Sequence, residues 1–349
     1  MRLLFVIATL CVAVLLAPGL RAAVIDNLYQ AEVMVDDRGR RALDAAAREG
    51  LAAVVLKVTG SDEALALPPV QAALDDASRY LQQYTYREAE DGALSAELLY
   101  DETVLRGLLL EAGAPLWTAR RPPVLVWLVA EGPGGRDFVR PAHQPGLAEA
   151  LTEAFARRGV PLRTPLLDLR DSAALGPGPA WRLDAASIAA ASARYGLADV
   201  LAGRVLPLSS GDWLGDWVYL HDGERLNRAV TASDPAAFAE AGAALAAGAI
   251  ARRYAVASAG EAAAGGTRVL VLGIDSFAAY AEVMAWFEGL DLVDRVNPEL
   301  IDGDGLVLRV VARTDLARLA PVIELNERLQ PLPAVPDTVR AERAYRWQR

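Results

Sequence analysis

The sequence predicts an α/β protein with α+β parts, built as two or three small α/β domains. The middle one is expected to be a three-layer sheet with helices and the last to be ferredoxin-like. Three observations carry this. Apolar residues switch repeatedly between period 2 and helical spacing, so strands and helices alternate along the chain. Two stretches with linker composition, Arg120-Arg121-Pro122-Pro123 and Ala257 to Gly266, break that rhythm. Hydrophobic residues make up 53% of the 349 positions, enough for a core that needs no disulfides.

The chain opens on a pattern of export. Arg2 is a short positive start, Leu3 to Leu16 is almost wholly apolar, Pro18-Gly19 breaks the run, and small residues follow. This reads as a secretory signal peptide over residues 1–22. The run is shorter than the about 20 residues that span a bilayer. Cleavage is expected after Ala22, with Ala23 as the alternative, and the mature chain is expected in the periplasm. Cys11 leaves with the signal, because Leu10 stands where a lipoprotein carries a small residue. The mature protein then has no thiol for a disulfide, a nucleophile or a metal site. The net charge is −10, and −12 once Arg2 and Arg21 are removed. Such a chain repels nucleic acid and anionic lipid at long range, so neither is an expected partner, and no stable membrane insertion is expected after cleavage. Lys57 is the only lysine.

Residues 23–113 read as a small N-terminal α/β domain. Leu28 to Val35 alternates like a half-buried strand, and Arg40 to Val58 places Leu43, Ala46, Ala47, Leu51, Val54, Val55 and Val58 on one helical face, closed by Gly60. Pro68 opens a short helix to about Ala77. Tyr80 to Glu88 and Ala93 to Tyr100 form two strands joined by the turn Glu90-Asp91-Gly92. Asp101 caps a helix to Ala112, and Trp117 is placed to pin this domain to the next.

Residues 123–255 read as the three-layer domain. Val124 to Ala130 is an apolar run suited to a strand buried on both faces. Leu147 to Arg158 is an amphipathic helix, Val160 to Leu167 is extended, Ala185 to Tyr195 is a helix closed by Gly196, and Asp199 to Val205 is a second buried strand. Trp213 to Leu220 and Arg225 to Thr231 form a hairpin around Asp222-Gly223, and Asp234-Pro235 starts an alanine-rich helix to Tyr254. Gly242 and Gly248 in that helix permit close packing on the sheet. Residues 267–332 run strand, helix, strand, strand, helix, which suggests a ferredoxin-like βαββα domain completed by Gln330 to Leu332. The Pro-rich, charged segment 333–349 reads as a flexible tail.

Catalytic chemistry finds little support. Only His143 and His221 are present, both in loops or turns, neither near a nucleophile and not at metal-ligand spacing. Asp302-Gly303-Asp304-Gly305 resembles part of a calcium loop but runs straight into a strand, so a hairpin turn fits better. Gly132-Pro133-Gly134-Gly135-Arg136 lacks the Lys-Ser/Thr pair of a phosphate loop and reads as a surface loop. Two aromatic stripes at strand period remain: Trp213, Trp217 and Tyr219, and Tyr80, Tyr84 and Tyr86. Exposed, such a stripe grips a partner or stacks on sugars; covered, it is core. Core is the better expectation for both, and Trp213, Trp217 and Tyr219 are the candidate partner-binding residues if it fails. No catalytic, cofactor-binding or metal residue, and no cofactor, is expected.

Several blocks fall in a familiar order: Leu28-Tyr29-Gln30-Ala31-Glu32-Val33, Val55-Leu56-Lys57-Val58-Thr59-Gly60, Pro69 to Leu74, Tyr80-Leu81-Gln82-Gln83-Tyr84 and Pro123 to Leu128. Over most of residues 24–230 these resemble the family called domain of unknown function 2066, uncharacterised exported proteins of gammaproteobacteria and their relatives. The segment Ile188 to Gly203 is similar to an element of the TolB N-terminal domain and related envelope modules. These resemblances imply a non-enzymatic envelope protein that binds or assembles other, unidentified envelope proteins. The alternatives are a peptidoglycan or glycan binder using an exposed aromatic face, and a carboxylate-based hydrolase.

Overall fold

A computed structural model describes residues 23–89, 92–257, 266–290, 292–336 and 339–348. The signal region with Cys11 and Ala22, the Glu90-Asp91 part of the first turn and most of the second linker lie outside the described residues. The protein is mixed α/β, with small α/β units that each form around a sheet of their own.

The first unit contains β1 (Ala23–Val24), β2 (Gln30–Met34), α1 (Arg40–Thr59), α2 (Pro68–Asp75), β3 (Leu81–Glu88), β4 (Leu94–Tyr100) and α3 (Glu102–Glu111). Its antiparallel sheet has the order β2-β4-β3. The apolar stripe of α1 covers one face: Ala47, Leu51, Val54 and Val55 have no exposed surface. Gly60, at φ 68, ends α1 in the left-handed conformation and its N–H donates to the Leu56 carbonyl. Tyr100 ties sheet to helix by donating to the Ala47 carbonyl at 2.6 Å. The Asp101 carboxylate accepts from the Val104 N–H and starts α3.

The second unit follows β5 (Arg120–Arg121) with β6 (Val124–Gly132), β7 (Gly135–Phe138), α4 (Pro145–Arg157), β8 (Leu162–Arg163), α5 (Leu169–Ala174), α6 (Pro177–Trp181), α7 (Ala185–Ser192), β9 (Asp199–Pro207), β10 (Trp213–His221), β11 (Glu224–Ala232) and α8 (Pro235–Tyr254). The sheet order is β11-β10-β9-β6-β7, with β6 and β9 parallel and β8 beside the start of β6. Alternate residues of β6 serve opposite layers. Val124, Val126 and Leu128 pack with α4 and α8, while Leu125, Trp127 and Val129 pack with Ala180, Ile188 and Ala191 from α6 and α7. That is the three-layer sheet the sequence predicted. The glycine-rich segment after β6 is the turn into β7, with Gly135 at φ 95.

The third unit contains β12 (Thr267–Leu272), α9 (Phe277–Glu288), β13 (Val293–Asp302), β14 (Gly305–Ala312), α10 (Leu316–Glu324), β15 (Leu329–Pro331) and β16 (Arg343–Trp347). The order is β13-β14-β12-β16-β15, ferredoxin-like in its first three strands. The last position departs from expectation. β15 stays antiparallel to β12, but β16 is inserted between them, parallel to β12. The flexible tail expected over 333–349 is therefore corrected: Ala344, Tyr345 and Trp347 are buried. Leu332, Val335, Val339 and Ala341 lie over Leu270 and Val307, on the sheet face opposite the helices. The arginines that flank Ala344-Tyr345 made the segment read as polar, whereas its apolar residues fill a sheet face that would otherwise be wet.

The first expected linker is also corrected. Arg121 is fully buried and organises a joint between the first two units. Its guanidinium donates to the carbonyls of Lys57, Trp117, Thr118, Arg158 and Gly159 and lies 3.9 Å from the centre of the Trp117 ring. Trp117 does pin the units: its N–H donates to the Val58 carbonyl, and a Cβ at Gly60 would come within 2.7 Å of its ring. β1 pairs with β5, and Leu116 and Val256 exchange backbone hydrogen bonds at 2.9 Å. One contiguous apolar cluster runs from the first unit through Leu116 and Val256 into the third. Native trypsin should accordingly spare Arg120-Arg121, since a buried, paired backbone opens rarely. Early fragments ending at Arg120, seen by mass spectrometry, would contradict the joint.

Candidate functional site

The aromatic strand is not a recognition surface. Trp217 and Tyr219 have no exposed surface and Trp213 is half-buried. Trp217 stacks on Phe238 with ring centres 5.0 Å apart and its Nε1–H donates to the Phe238 carbonyl at 3.0 Å. Gly203 and Gly242 make room for it: a Cβ on either would sit within 2.5 Å of the indole. The candidate binding role of Trp213, Trp217 and Tyr219 is corrected to core, because α8 lies over this face. Of the signal-cleavage candidates, Ala23 is the first residue of β1 and pairs with Arg121.

The other stripe is different. Tyr80 and Tyr86 are half-buried, but Tyr84 is 48% exposed. The Tyr84 and Tyr86 rings meet edge to face at 5.9 Å, and the Arg38 guanidinium lies 6.0 Å from the Tyr86 ring. They line an open groove of about 720 Å³ with Leu81 and with Leu43 from the start of α1, at the sheet edge. The expectation that this stripe is core fails for Tyr84.

His221 is no solvated turn residue. Its Nδ1 lies 2.9 Å from the carboxylate of Asp199, which is itself buried and also accepts from the Tyr219 hydroxyl. Arg253 donates to the Tyr219 oxygen at 2.7 Å and approaches Asp199 at 3.7 Å. Burial, then the Asp199 charge, pushes the Tyr219 hydroxyl far above the usual range. A second network joins the buried Asp171 to Arg194 at 2.9 Å and to the Tyr195 hydroxyl at 2.6 Å, with Asp168 also paired to Arg194. The hydrogen bond from Arg194 is the main cause that holds the Asp168 carboxyl below the ordinary carboxylate range. Both clusters spend their charges on one another. His143 is exposed, 4.0 Å from Asp137. Asp302-Gly303-Asp304-Gly305 is the β13–β14 turn, with Gly303 at φ 59. Among the described residues no group of three metal-ligating side chains comes together, and no helix is long and apolar enough to cross a membrane.

Between the first unit, the joint segment and the third unit, a cavity of about 310 Å³ is lined by Ile25, Asp26, Tyr29, Glu102, Arg120 and Trp286, among others. The Arg120 guanidinium lies 4.2 Å from the Trp286 ring centre and makes no ion pair among the described residues. Periodicity could not reveal this pocket, because its walls come from distant segments.

Alkaline pH titrates buried groups whose effects on stability have opposite sign. Burial, then the neighbouring Arg121, lowers the Lys57 ammonium to about 8 from 10.5. Between those values the unfolded chain binds the extra proton, so stability rises with pH. Burial raises Tyr100 and Tyr219 above 10, and Tyr345 to about 12. Above pH about 10 the unfolded chain loses these phenol protons first, so stability falls. Thermal melts from pH 7 to 11 should show a maximum near pH 10, and Lys57→Met should abolish the rise between pH 8 and 10. A monotonic fall from pH 8 in the wild type would contradict this.

A family model described as a domain of unknown function, DUF8605, matches residues 22–118, which is the first unit with Trp117. This overturns the expected resemblance to domain of unknown function 2066: the matching family is a different one, and it ends before the second unit. The likeness to TolB N-terminal modules is withdrawn with it. No curated protein matches the chain.

Proposed function

We infer that the chain is a non-enzymatic binding or assembly module of the periplasmic cell envelope. The observation that carries this reading is the way the protein uses its charged groups. The Asp199 and Asp171 clusters close on themselves, and Arg121 binds backbone carbonyls to join two units. Such networks hold a frame in one geometry. A rigid frame that leaves a tyrosine-lined groove and a junction cavity open suits recognition, which is favoured when the binding surface is preorganised. The export pattern of residues 1–22 supports the setting. The expected cut after Ala22 would free the chain just where β1 begins to pair with the Arg121 joint. In fractionated cells, intact-mass analysis should find a periplasmic chain that starts at Ala23 or Val24. A chain that retains Met1 in the cytoplasm would overturn the setting. Pull-down after mild crosslinking should recover a discrete protein partner.

A further inference from the structure

We propose that β3 is a docking edge that accepts an extended strand from a partner polypeptide, adding a fourth strand to the first sheet. The proposal rests on the binding-module reading above and names the partner's chemistry.

An exposed sheet edge offers unpaired N–H and C=O groups to any strand that meets it, and proteins usually guard such edges. The other end strands of the three larger sheets are guarded. β13 carries Pro298 and two register shifts. β15 is three residues long and ends in Pro331. β7 has four residues, among them Arg136 and Asp137. β11 is studded with Glu224, Arg225 and Arg228. On β2 the Lys57 ammonium donates to the Gln30 carbonyl at 2.7 Å. β3 is the least guarded of them: its one register shift, between Leu81 and Gln83, and its charged pair, Arg87-Glu88, lie at its two ends. Its run Gln82-Gln83-Tyr84-Thr85-Tyr86 is uncharged and free of proline, and its register with β4 is regular from Gln83 to Glu88.

The outward backbone groups can be assigned. The Ala89 N–H donates to the Ala93 carbonyl at 2.8 Å. Hydrogen-bonded pairs alternate along an antiparallel ladder, so Gln83, Thr85 and Arg87 bond to β4. Tyr84, Tyr86 and Glu88 then turn their backbone groups to the open edge. Side chains alternate likewise, and each face of β3 opens on a groove. Gln82, Tyr84 and Tyr86 border the one with Leu43 and Leu81, Thr85 and Arg87 border a second, of about 1000 Å³, that reaches α4, and Gln83 touches both. An added strand would place alternate side chains in the two grooves, which is how edge-binding modules combine affinity with selectivity. The partner segment is therefore extended, free of proline, apolar or aromatic at alternate positions and polar between them. Two copies of a chain of net charge −10 repel, which favours a different polypeptide over self-pairing.

The test uses the full mature chain and a random dodecapeptide library. The best-enriched peptide is the probe. Its binding should slow hydrogen exchange at the amides of Tyr84, Tyr86 and Glu88, with little change at Gln83, Thr85 and Arg87, which β4 already protects. Tyr84→Pro removes one outward N–H and leaves the inner ladder intact, so it should weaken binding about tenfold or more. Tyr84→Lys, which keeps the backbone, should also weaken it by placing a charge on the edge. Melting temperatures identify any variant that fails to fold. The proposal is overturned by enriched peptides that bind without protecting those three amides. It is equally overturned by a folded Tyr84→Pro or Tyr84→Lys chain that binds like wild type, or by protection that appears through self-association without peptide. The wider reading fails separately, if no partner crosslinks to the exported protein in the envelope even though the peptide docks on β3.

Discussion

Arg121→Ala should cost roughly 4 kcal/mol of stability, since each buried carbonyl left without its donor costs about 1–3 kcal/mol. The carbonyls of Lys57, Trp117, Thr118, Arg158 and Gly159 all rely on this one side chain. Two of them belong to the second unit and one to α1, so the loss falls on the joint itself. Arg121→Lys should recover little: an ammonium lacks the planar fork that reaches several carbonyls at once and stacks on Trp117. Thermal melting of the two variants checks this, with an expected drop on the order of 10 °C for alanine. A lysine variant that melts like wild type would show that charge alone, without the fork, holds the joint.

Trp217→Ala should cost about 3–5 kcal/mol, the usual range when a buried aromatic leaves a cavity. The indole is closed in on several sides, by Phe238 and by backbone at Gly203 and Gly242. The Phe238 carbonyl would also lose the indole N–H. Gly242→Ala should destabilise by about 1–3 kcal/mol, because its methyl enters the same space. In the Trp217→Ala background that cost should largely vanish, since neighbours that share a space are not additive. Denaturant melts of the two single variants and the double variant measure the coupling. A Trp217→Ala protein within about 0.5 kcal/mol of wild type would mean the strand is surface after all.

The elements that periodicity defines were legible in the sequence. α1, β6, β9, the β10–β11 hairpin, α8 and α9 stand where their apolar spacing places them, because each buries one continuous face or both faces. The failures share another cause. β16 and Arg121 read as solvated because they are rich in arginine, but a guanidinium can be buried where carbonyls and an indole surround it. His221 read as a loop residue because its partner, Asp199, is 22 positions away in sequence and adjacent only across the β9–β10 ladder. The fate of each aromatic stripe depended on what covers it. α8 covers Trp217 and Tyr219, whereas Tyr84 stays 48% exposed beside the start of α1. No spacing rule within a strand carries that information. The edge position of β3 likewise follows from strand order, which the sequence does not display.

The most direct measurement of the central claim is crosslinking of the exported protein in isolated envelope fractions, followed by pull-down and mass spectrometry. Lys57 is the only lysine and is 6% exposed, so the reagent should couple carboxylates rather than amines. A binding or assembly module predicts a discrete adduct with another envelope protein, with crosslinked peptides from the first unit and loss of the adduct in Arg121→Ala. A chain that stays monomeric at every reagent concentration, while the same preparation turns over a substrate in a hydrolase screen, would contradict it.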